Sequence, residues 1–142
     1  MDNKKIFIGT WRLLEFYVEK VKGLRSYPFG RNLDGLLIYN NDGYMSVSIT
    51  GENQPSKVKL DFKNTSAEEQ ALAVNHISYC GLFKVEEKIV THHVKTCLFP
   101  QWKDTKLKRF YNFNQNKLTL TAEHLNLTPT NEVIVLVWVR QN

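Results

Sequence analysis

An arginine and a histidine fall on the apolar faces of two predicted strands. The run 106–113 alternates polar and apolar residues and places Arg109 on the same face as Tyr111. The run 89–96 places His92 on an apolar face in the same way. A guanidinium can hold an anionic or carbonyl oxygen, and an imidazole can donate, accept or transfer a proton. These two side chains are therefore the first candidates for chemistry.

Short turns determine which residues face each other on these strands. Gln115-Asn116 and Glu87-Lys88 are each predicted to form a two-residue hairpin turn. Directly opposed residues of an antiparallel hairpin lie on the same face of the sheet. The opposed pairs on the apolar faces are then Phe113 with Leu118, Tyr111 with Leu120, Arg109 with Ala122, and Phe83 with His92. The arginine and the histidine are thus predicted to point into one interior.

The same faces supply an apolar wall around the two polar groups. The other residues predicted to contact a ligand are Tyr79, Phe83, Met45, Val47, Leu120 and Tyr111. In the second and third strands, the pattern assigns to the inside Leu36, Ile38, Met45, Val47 and Ile49, and to the outside Tyr39. Apolar area with a few convergent polar groups is typical of a small-molecule site.

A guanidinium inside a protein needs a partner, because burying it alone costs several kcal/mol. One partner is a ligand. The other is Glu15, which shares a face with Trp11, Leu13 and Tyr17 in the first strand. The alternation leaves open whether this face points inward. A Glu15–Arg109 pair favours a structural ion pair or a carboxylate–histidine acid/base couple over capture of an anion.

The histidine has two interpretations as well. It contacts a ligand or shuttles a proton, or it is a neutral core histidine satisfied by another protein group. A metal site is not indicated, because His92 and His93 are adjacent in a strand and point to opposite faces. No serine elbow, phosphate-binding glycine loop or dinucleotide fingerprint is found, so no cofactor is implied.

Composition indicates an ordinary globular chain. The 142 residues, 42% hydrophobic and 23% charged, predict a single domain over 1–142. The net charge of +5 comes from scattered lysines, which predicts a solvated surface and no nucleic-acid binding. No apolar run is long enough to enter a membrane, and the amino terminus is a poor secretory signal, so we expect a cytoplasmic protein with two free thiols. Nothing in the sequence predicts the oligomeric state.

Eight strands are predicted from runs of alternating residues. They are Thr10–Lys22, Gly35–Tyr39, Tyr44–Thr50, Tyr79–Glu86, Ile89–Thr96, Lys106–Phe113, Lys117–Glu123 and Glu132–Arg140. Tight turns between most of them favour an all-β fold, either an antiparallel up-and-down barrel or a sandwich. One short helix, capped by Ser66, is predicted between the third and fourth strands. It either covers a barrel mouth or packs on the outside.

Several segments carry a family likeness along most of the chain. They are Gly9-Thr10-Trp11-Arg12-Leu13, Tyr27-Pro28-Phe29-Gly30, Gly35-Leu36-Leu37-Ile38-Tyr39, Asp42-Gly43-Tyr44-Met45-Ser46, Val90-Thr91-His92-His93-Val94, Leu98-Phe99-Pro100-Gln101-Trp102, Arg109-Phe110 and Leu136-Val137-Trp138. In order and spacing the chain resembles the lipocalin-like domain family of small bacterial and fungal proteins. The resemblance implies an eight-stranded antiparallel barrel with a hydrophobic interior. The segments 51–63 and 126–131 depart from the family pattern, which leaves the ligand open.

The start of the chain also resembles that of true lipocalins, in which an arginine of the last strand covers the tryptophan of the first. In this chain the resemblance implies that Arg140 covers Trp11 at a closed end of the barrel.

Two functional hypotheses use the same residues. In the first, the cavity binds a small, largely hydrophobic molecule through an anionic or carbonyl oxygen held by Arg109 with Tyr111, while His92 hydrogen-bonds to it or shuttles a proton. In the second, the protein is a cofactor-free cyclase or isomerase acting on a polyketide- or terpenoid-like intermediate. Arg109 then stabilises negative charge and His92 is the general acid or base. A third class, a protein–protein module with an exposed sheet, predicts no cavity.

Overall fold

The strands of this chain curl into a closed barrel. The computed structural model describes residues 3–21, 23–52, 59–61, 63–123 and 132–142. Within these ranges the strands are β1 (Gly9–Val21), β2 (Leu24–Ser26), β3 (Asp34–Tyr39), β4 (Tyr44–Thr50), β5 (His76–Val85), β6 (Ile89–Cys97), β7 (Lys106–Asn114), β8 (Lys117–Glu123) and β9 (Val133–Arg140). The helices are α1 (Lys4–Phe7), α2 (Ala67–Ala73) and a 3-10 turn at Pro100–Trp102.

Neighbouring strands pair antiparallel all the way round. The order is β2-β1-β3-β4-β5-β6-β7-β8-β9, and β1 also pairs with β9 to close the barrel. The short β2 folds back on the end of β1, so eight strands form the closed wall, as predicted. Helix α1 precedes β1 and lies at one end, which we call the α1 end.

The two predicted hairpin registers are confirmed. Phe83 pairs with His92, and Tyr111 pairs with Leu120. The tight β7–β8 turn is made possible by Gln115, which takes a positive φ of 56°. These registers place His92 and Arg109 on the inner face of adjacent strands.

The predicted inner face of β3 is wrong. Leu36 and Ile38 are 50% and 42% exposed, while Leu37 and Tyr39 are buried. The reason is the turn between β3 and β4, in which Asn40 bonds to Tyr44 and three residues form the loop. Such a loop sets Tyr39 opposite Met45. Because β3 is apolar on both faces, its alternation pattern cannot reveal this register.

A bulge in β1 settles the face that the sequence left open. Leu13 pairs with Trp138 and Glu15 with Val137, so Leu14 is an extra residue. The bulge reverses the alternation, and Phe16 is buried after it while Glu15 is exposed. Glu15 therefore lies outside the barrel and does not pair with Arg109.

Aromatic residues fill the α1 end. The buried Phe7 makes edge contacts with Tyr39, Tyr111 and Phe113 at ring-centroid distances of 5.3, 4.9 and 4.9 Å. Close by, Arg140 lies 4.2 Å from the ring of Trp11, which confirms the predicted cation–π pair. Helix α1 itself was not predicted from the sequence.

Two short segments lie at the end of the barrel opposite the α1 end: α2, which follows β4, and the 3-10 turn, which follows β6. Helix α2 begins with the predicted Ser66 cap, whose Oγ accepts from the Glu69 N–H. The Ser66 N–H donates in turn to the Glu69 carboxylate, which completes a capping box. No residue of α2 is buried, so the helix does not plug the interior. Trp102, in the 3-10 turn, is buried with its ring 5.8 Å from that of Tyr79. No helix in the described part of the chain has the length and hydropathy of a membrane span.

Candidate functional site

His92 lies between two tyrosines in the middle of the barrel. Its Nε2 is 2.6 Å from the hydroxyl oxygen of Tyr39 on β3, and its Nδ1 is 2.6 Å from that of Tyr79 on β5. The imidazole is 2% exposed. Both ring nitrogens are thus committed to hydrogen bonds within the protein.

Burial keeps this histidine neutral. Desolvation, with a further contribution from the nearby positive charge of Arg109, lowers the pKa of His92 to about 3. Burial likewise raises the pKa of Tyr39 and Tyr79, so both phenols keep their protons at neutral pH. The three groups form a neutral hydrogen-bonded chain, which we call the Tyr–His–Tyr triad. A histidine with this pKa is a poor general base at neutral pH.

Arg109 is buried beside the triad and has no counterion among the described residues. The side chain is 8% exposed, and its Nη1 donates to the carbonyl of Lys108 at 3.0 Å. No carboxylate in the described residues lies within ion-pair distance of it. Burial lowers the pKa of Arg109, while the phenols of Tyr79 and Tyr39 act in the opposite direction. The pKa of a guanidinium is ordinarily so far above neutral that the group stays charged despite this lowering.

These groups border a small internal cavity of about 50 Å³. That volume has room for a small number of water molecules. Its lining consists of Phe16, Leu37, Val47, Ile49, Ile77, Tyr79, His92, Arg109, Leu120, Ile134, Leu136 and Trp138. The indole Nε1 of Trp138 is buried and has no hydrogen-bond partner in the described structure. A mostly apolar cavity thus carries an arginine, a tyrosine–histidine pair and an unsatisfied N–H group.

The structure brings five of the predicted site residues to this cavity. They are His92, Arg109, Tyr79, Val47 and Leu120. Met45 and Phe83 are buried but do not line it. The Phe83 ring instead packs 4.7 Å from that of Tyr39, nearer the α1 end.

Tyr111 and Glu15 lie away from the cavity. The Tyr111 hydroxyl lies 2.6 and 2.8 Å from the carbonyl oxygens of Glu86 and Glu87 in the β5–β6 turn and shares its one proton between them. It therefore does not assist Arg109. Glu15 borders a separate external groove of about 170 Å³ that also contains Arg31. Tyr111 faces the interior, as predicted. It lies two residues beyond Arg109 on β7, and its hydroxyl is at the α1 end.

Besides aliphatic lining residues such as Leu37 and Leu136, sequence reasoning missed Tyr39, Phe16 and Trp138 as parts of the site. Tyr39 was assigned to the wrong face, and Phe16 enters the interior only because of the β1 bulge. Trp138 was expected in the core without a polar role, and a chain pattern gives no sign that its N–H lacks an acceptor. The only feature of the sequence that indicates the inner face for Tyr39 is the three-residue loop between Asn40 and Tyr44.

A closed antiparallel barrel around an apolar cavity with a few convergent polar groups defines a class of ligand-enclosing β-barrels. The family model of the lipocalin-like domain matches residues 8–141, and the chain belongs to that family. A lipocalin-like barrel suggests binding of a small molecule.

Two further comparisons add little. The chain is similar to a solved structure of a redesigned beta barrel, with 12% sequence identity and a TM-score of 0.46. The match covers 98% of this chain and 95% of that chain. At this level the likeness supports no inference about function. No curated protein matches the chain.

Proposed function

We propose that the protein binds a compact, largely apolar molecule through an anionic or carbonyl oxygen. The observation that carries this proposal is Arg109, a buried cation that lines the cavity and has no carboxylate partner in the described structure. A charge held in this way is expensive for the empty protein. An oxygen ligand with negative or partial negative charge supplies the missing partner.

The rest of the lining is suited to the apolar part of such a ligand. Branched aliphatic side chains, among them Val47, Ile49 and Ile77, surround the polar groups. Each square ångström of apolar surface removed from water contributes about 25 cal/mol to binding before the losses of association. The apolar wall therefore supports affinity, and the guanidinium supports orientation.

The size of the cavity favours a compact ligand over a long one. A cavity that holds benzene measures about 150 Å³. A ring or a short branched chain therefore enters this cavity of about 50 Å³ only when lining side chains move, and an extended lipid or a folded polyketide requires a much larger rearrangement. Phe16 forms part of both the cavity and the external groove that contains Glu15, so its movement joins the two spaces.

Thermal denaturation with matched pairs of compounds tests this proposal. Benzoate and cyclohexanecarboxylate are compared with the neutral amides of the same shape. We expect the acids to raise the melting temperature of the wild-type protein in a concentration-dependent way and the amides to do so much less. In Arg109→Met the effect of the acids should disappear, whereas the exposed neighbour Lys108→Met should respond like wild type.

Equal stabilisation by acids and amides, or full stabilisation of Arg109→Met by the acids, contradicts the role of the guanidinium. In that case the cavity recognises shape alone.

A second candidate function is cofactor-free isomerisation or cyclisation, and the Tyr–His–Tyr triad supports it. Two hydrogen bonds of 2.6 Å link a cavity-facing phenol to a buried imidazole beside a cation. Such a chain can donate the Tyr79 proton to a carbonyl oxygen, with Arg109 stabilising the enolate-like charge, while solvent water or hydroxide removes the proton from the adjacent carbon; reversal of these steps returns the proton to Tyr79. In this reaction Tyr79, rather than His92, contacts the substrate.

Deuterium exchange separates this enzyme from a binding protein. The protein is mixed with a compact cyclic ketone in D₂O, and incorporation next to the carbonyl is followed by NMR. Catalysis predicts exchange above the buffer rate that falls at least a hundredfold in Tyr79→Phe while ketone binding persists. Exchange at the buffer rate in the wild type, with ketone bound, rejects the enzyme and leaves the binder.

A further inference from the structure

The Tyr–His–Tyr triad has one proton more than its internal hydrogen bonds can use. A neutral imidazole carries one N–H, and each phenol carries one O–H, which makes three donors. Only two hydrogen bonds connect the three residues, one at each ring nitrogen of His92. One tyrosine must therefore accept from the imidazole N–H, and the hydroxyl proton of that tyrosine is left to donate elsewhere.

The tautomer of His92 decides which tyrosine this is. If Nε2 carries the proton, it donates to Tyr39, and the Tyr39 hydroxyl proton needs another acceptor. If Nδ1 carries the proton, it donates to Tyr79, and the Tyr79 hydroxyl proton is the spare one. In each case the other tyrosine donates to the unprotonated nitrogen.

The surroundings of the two hydroxyls are not equivalent. Tyr39 is 1% exposed, packs against Phe7 and Phe83, and has no second hydrogen-bond partner in the described structure. A spare proton on Tyr39 would thus be a buried donor without an acceptor, which is unfavourable. Tyr79 lines the cavity, where water or a ligand can accept its proton.

We propose that His92 is protonated on Nδ1 and thereby turns the Tyr79 hydroxyl into a second donor for the ligand, beside Arg109. The site then takes its ligand as an oxyanion, either a carboxylate or the ionised form of an enol or phenol. This assignment of ligand class rests on the proposed function, whereas the tautomer assignment depends only on the geometry of the triad.

The other polar atoms of the cavity agree with an oxyanion. A guanidinium and an indole N–H have no acceptor capacity, so Arg109 and Trp138 can only donate. The Tyr79 oxygen already accepts from Nδ1 in this arrangement. A ligand hydroxyl or amide N–H would therefore meet a lining that consists mainly of donors, and an ionised oxygen satisfies it best.

Nitrogen NMR of the ligand-free protein tests the tautomer directly. The two ring nitrogens of a neutral histidine have well-separated ¹⁵N shifts, depending on which one carries the proton. We expect His92 to show a protonated Nδ1 and an unprotonated Nε2 near neutral pH. The opposite tautomer overturns the proposal, whatever the protein binds.

Titration of 4-nitrophenol, whose colour reports its ionisation, tests the ligand class. We expect the wild type to bind the yellow anion and to lower the apparent pKa of the bound probe. Tyr79→Phe should weaken anion binding about ten- to hundredfold, as expected for a hydrogen bond to a charged group. Tyr111→Phe removes a phenol whose hydroxyl is held at the α1 end and should change affinity less than twofold.

The outcomes separate the two claims. Unchanged affinity in Tyr79→Phe, with binding lost in Arg109→Met, overturns the second donor and leaves the proposed function standing. A wild type that binds neither this anion nor benzoate overturns the oxyanion class and the proposed function together, while the NMR result still decides the tautomer.

Discussion

Replacing Arg109 by methionine is expected to stabilise the empty protein and to abolish binding of the ligand. The buried guanidinium makes one described hydrogen bond, to the Lys108 carbonyl, and has no described carboxylate partner. Methionine keeps the unbranched stem of arginine and has no charge, so it occupies much of the same space without the desolvation penalty. Alanine is a poorer probe, because the hole that it leaves costs about 2–5 kcal/mol by itself.

The magnitude follows from two opposing effects. Loss of the hydrogen bond costs about 1 kcal/mol. Removal of an uncompensated buried charge returns several kcal/mol, and replacement of buried ionic groups by apolar ones stabilises proteins by about 1–4 kcal/mol. We therefore expect a net gain of about 1–3 kcal/mol for Arg109→Met, or roughly 3–5 °C in melting temperature for each kcal/mol in a chain of this size.

Urea denaturation of ligand-free wild type and Arg109→Met measures this difference. Protein that has been unfolded, washed and refolded serves as the ligand-free form, and the exposed Lys108→Met should stay within about 0.5 kcal/mol of wild type. A loss of stability above about 2 kcal/mol in Arg109→Met would contradict this expectation. It would show that the guanidinium stabilises the ligand-free barrel and is not an uncompensated charge that a ligand must pair.

Further predictions concern other parts of the structure. Burial lowers the pKa of His92 to about 3 from 6.5, so the stability that comes from keeping this histidine neutral is complete above pH 6.5 and is lost as the pH falls toward 3. Urea unfolding at pH 5 should therefore show a loss of about 2 kcal/mol in the free energy of unfolding. The loss should be absent in His92→Gln. Arg140→Met should cost about 1–3 kcal/mol through the lost Trp11 contact and hydrogen bond to a backbone carbonyl, with ligand affinity unchanged by calorimetry. Tyr39→Phe should destabilise by about 1–3 kcal/mol in the same unfolding assay, since it leaves the histidine Nε2 unpaired. Glu15→Gln should change the unfolding free energy by less than about 0.5 kcal/mol, and a loss of several kcal/mol would instead indicate an internal ion pair.

Where charged residues mark the outer face, the sequence was enough to predict the barrel wall. The β7–β8 hairpin alternates lysine and asparagine with apolar residues, and its two-residue turn leaves one register. The position of Arg109 inside the barrel followed from that register alone. The same held for His92, because Lys84 fixes the outer face of β5 across a two-residue turn.

The failures occur where local pattern carries no information about faces. Strand β3 is apolar on both sides, so only the length of the loop that follows decides that Tyr39 points inward. The β1 bulge inserts Leu14 into a run that is half apolar on either face, and no residue type marks it. The first difficulty hides the triad, because Tyr39 lies on the misassigned face of β3. The contact between Tyr39 and His92, which are 53 positions apart in the sequence, forms only when the whole barrel closes correctly.

Native mass spectrometry of the protein purified from its own cells shows whether the cavity binds an oxygen-bearing ligand through Arg109. We expect the wild type to carry a compact molecule with an acidic or carbonyl oxygen, and Arg109→Met from the same cells, folded and at least as stable, to lack it. A wild type without such a molecule that also fails to bind benzoate, or a variant that retains the same molecule in the same amount, would contradict this role of Arg109.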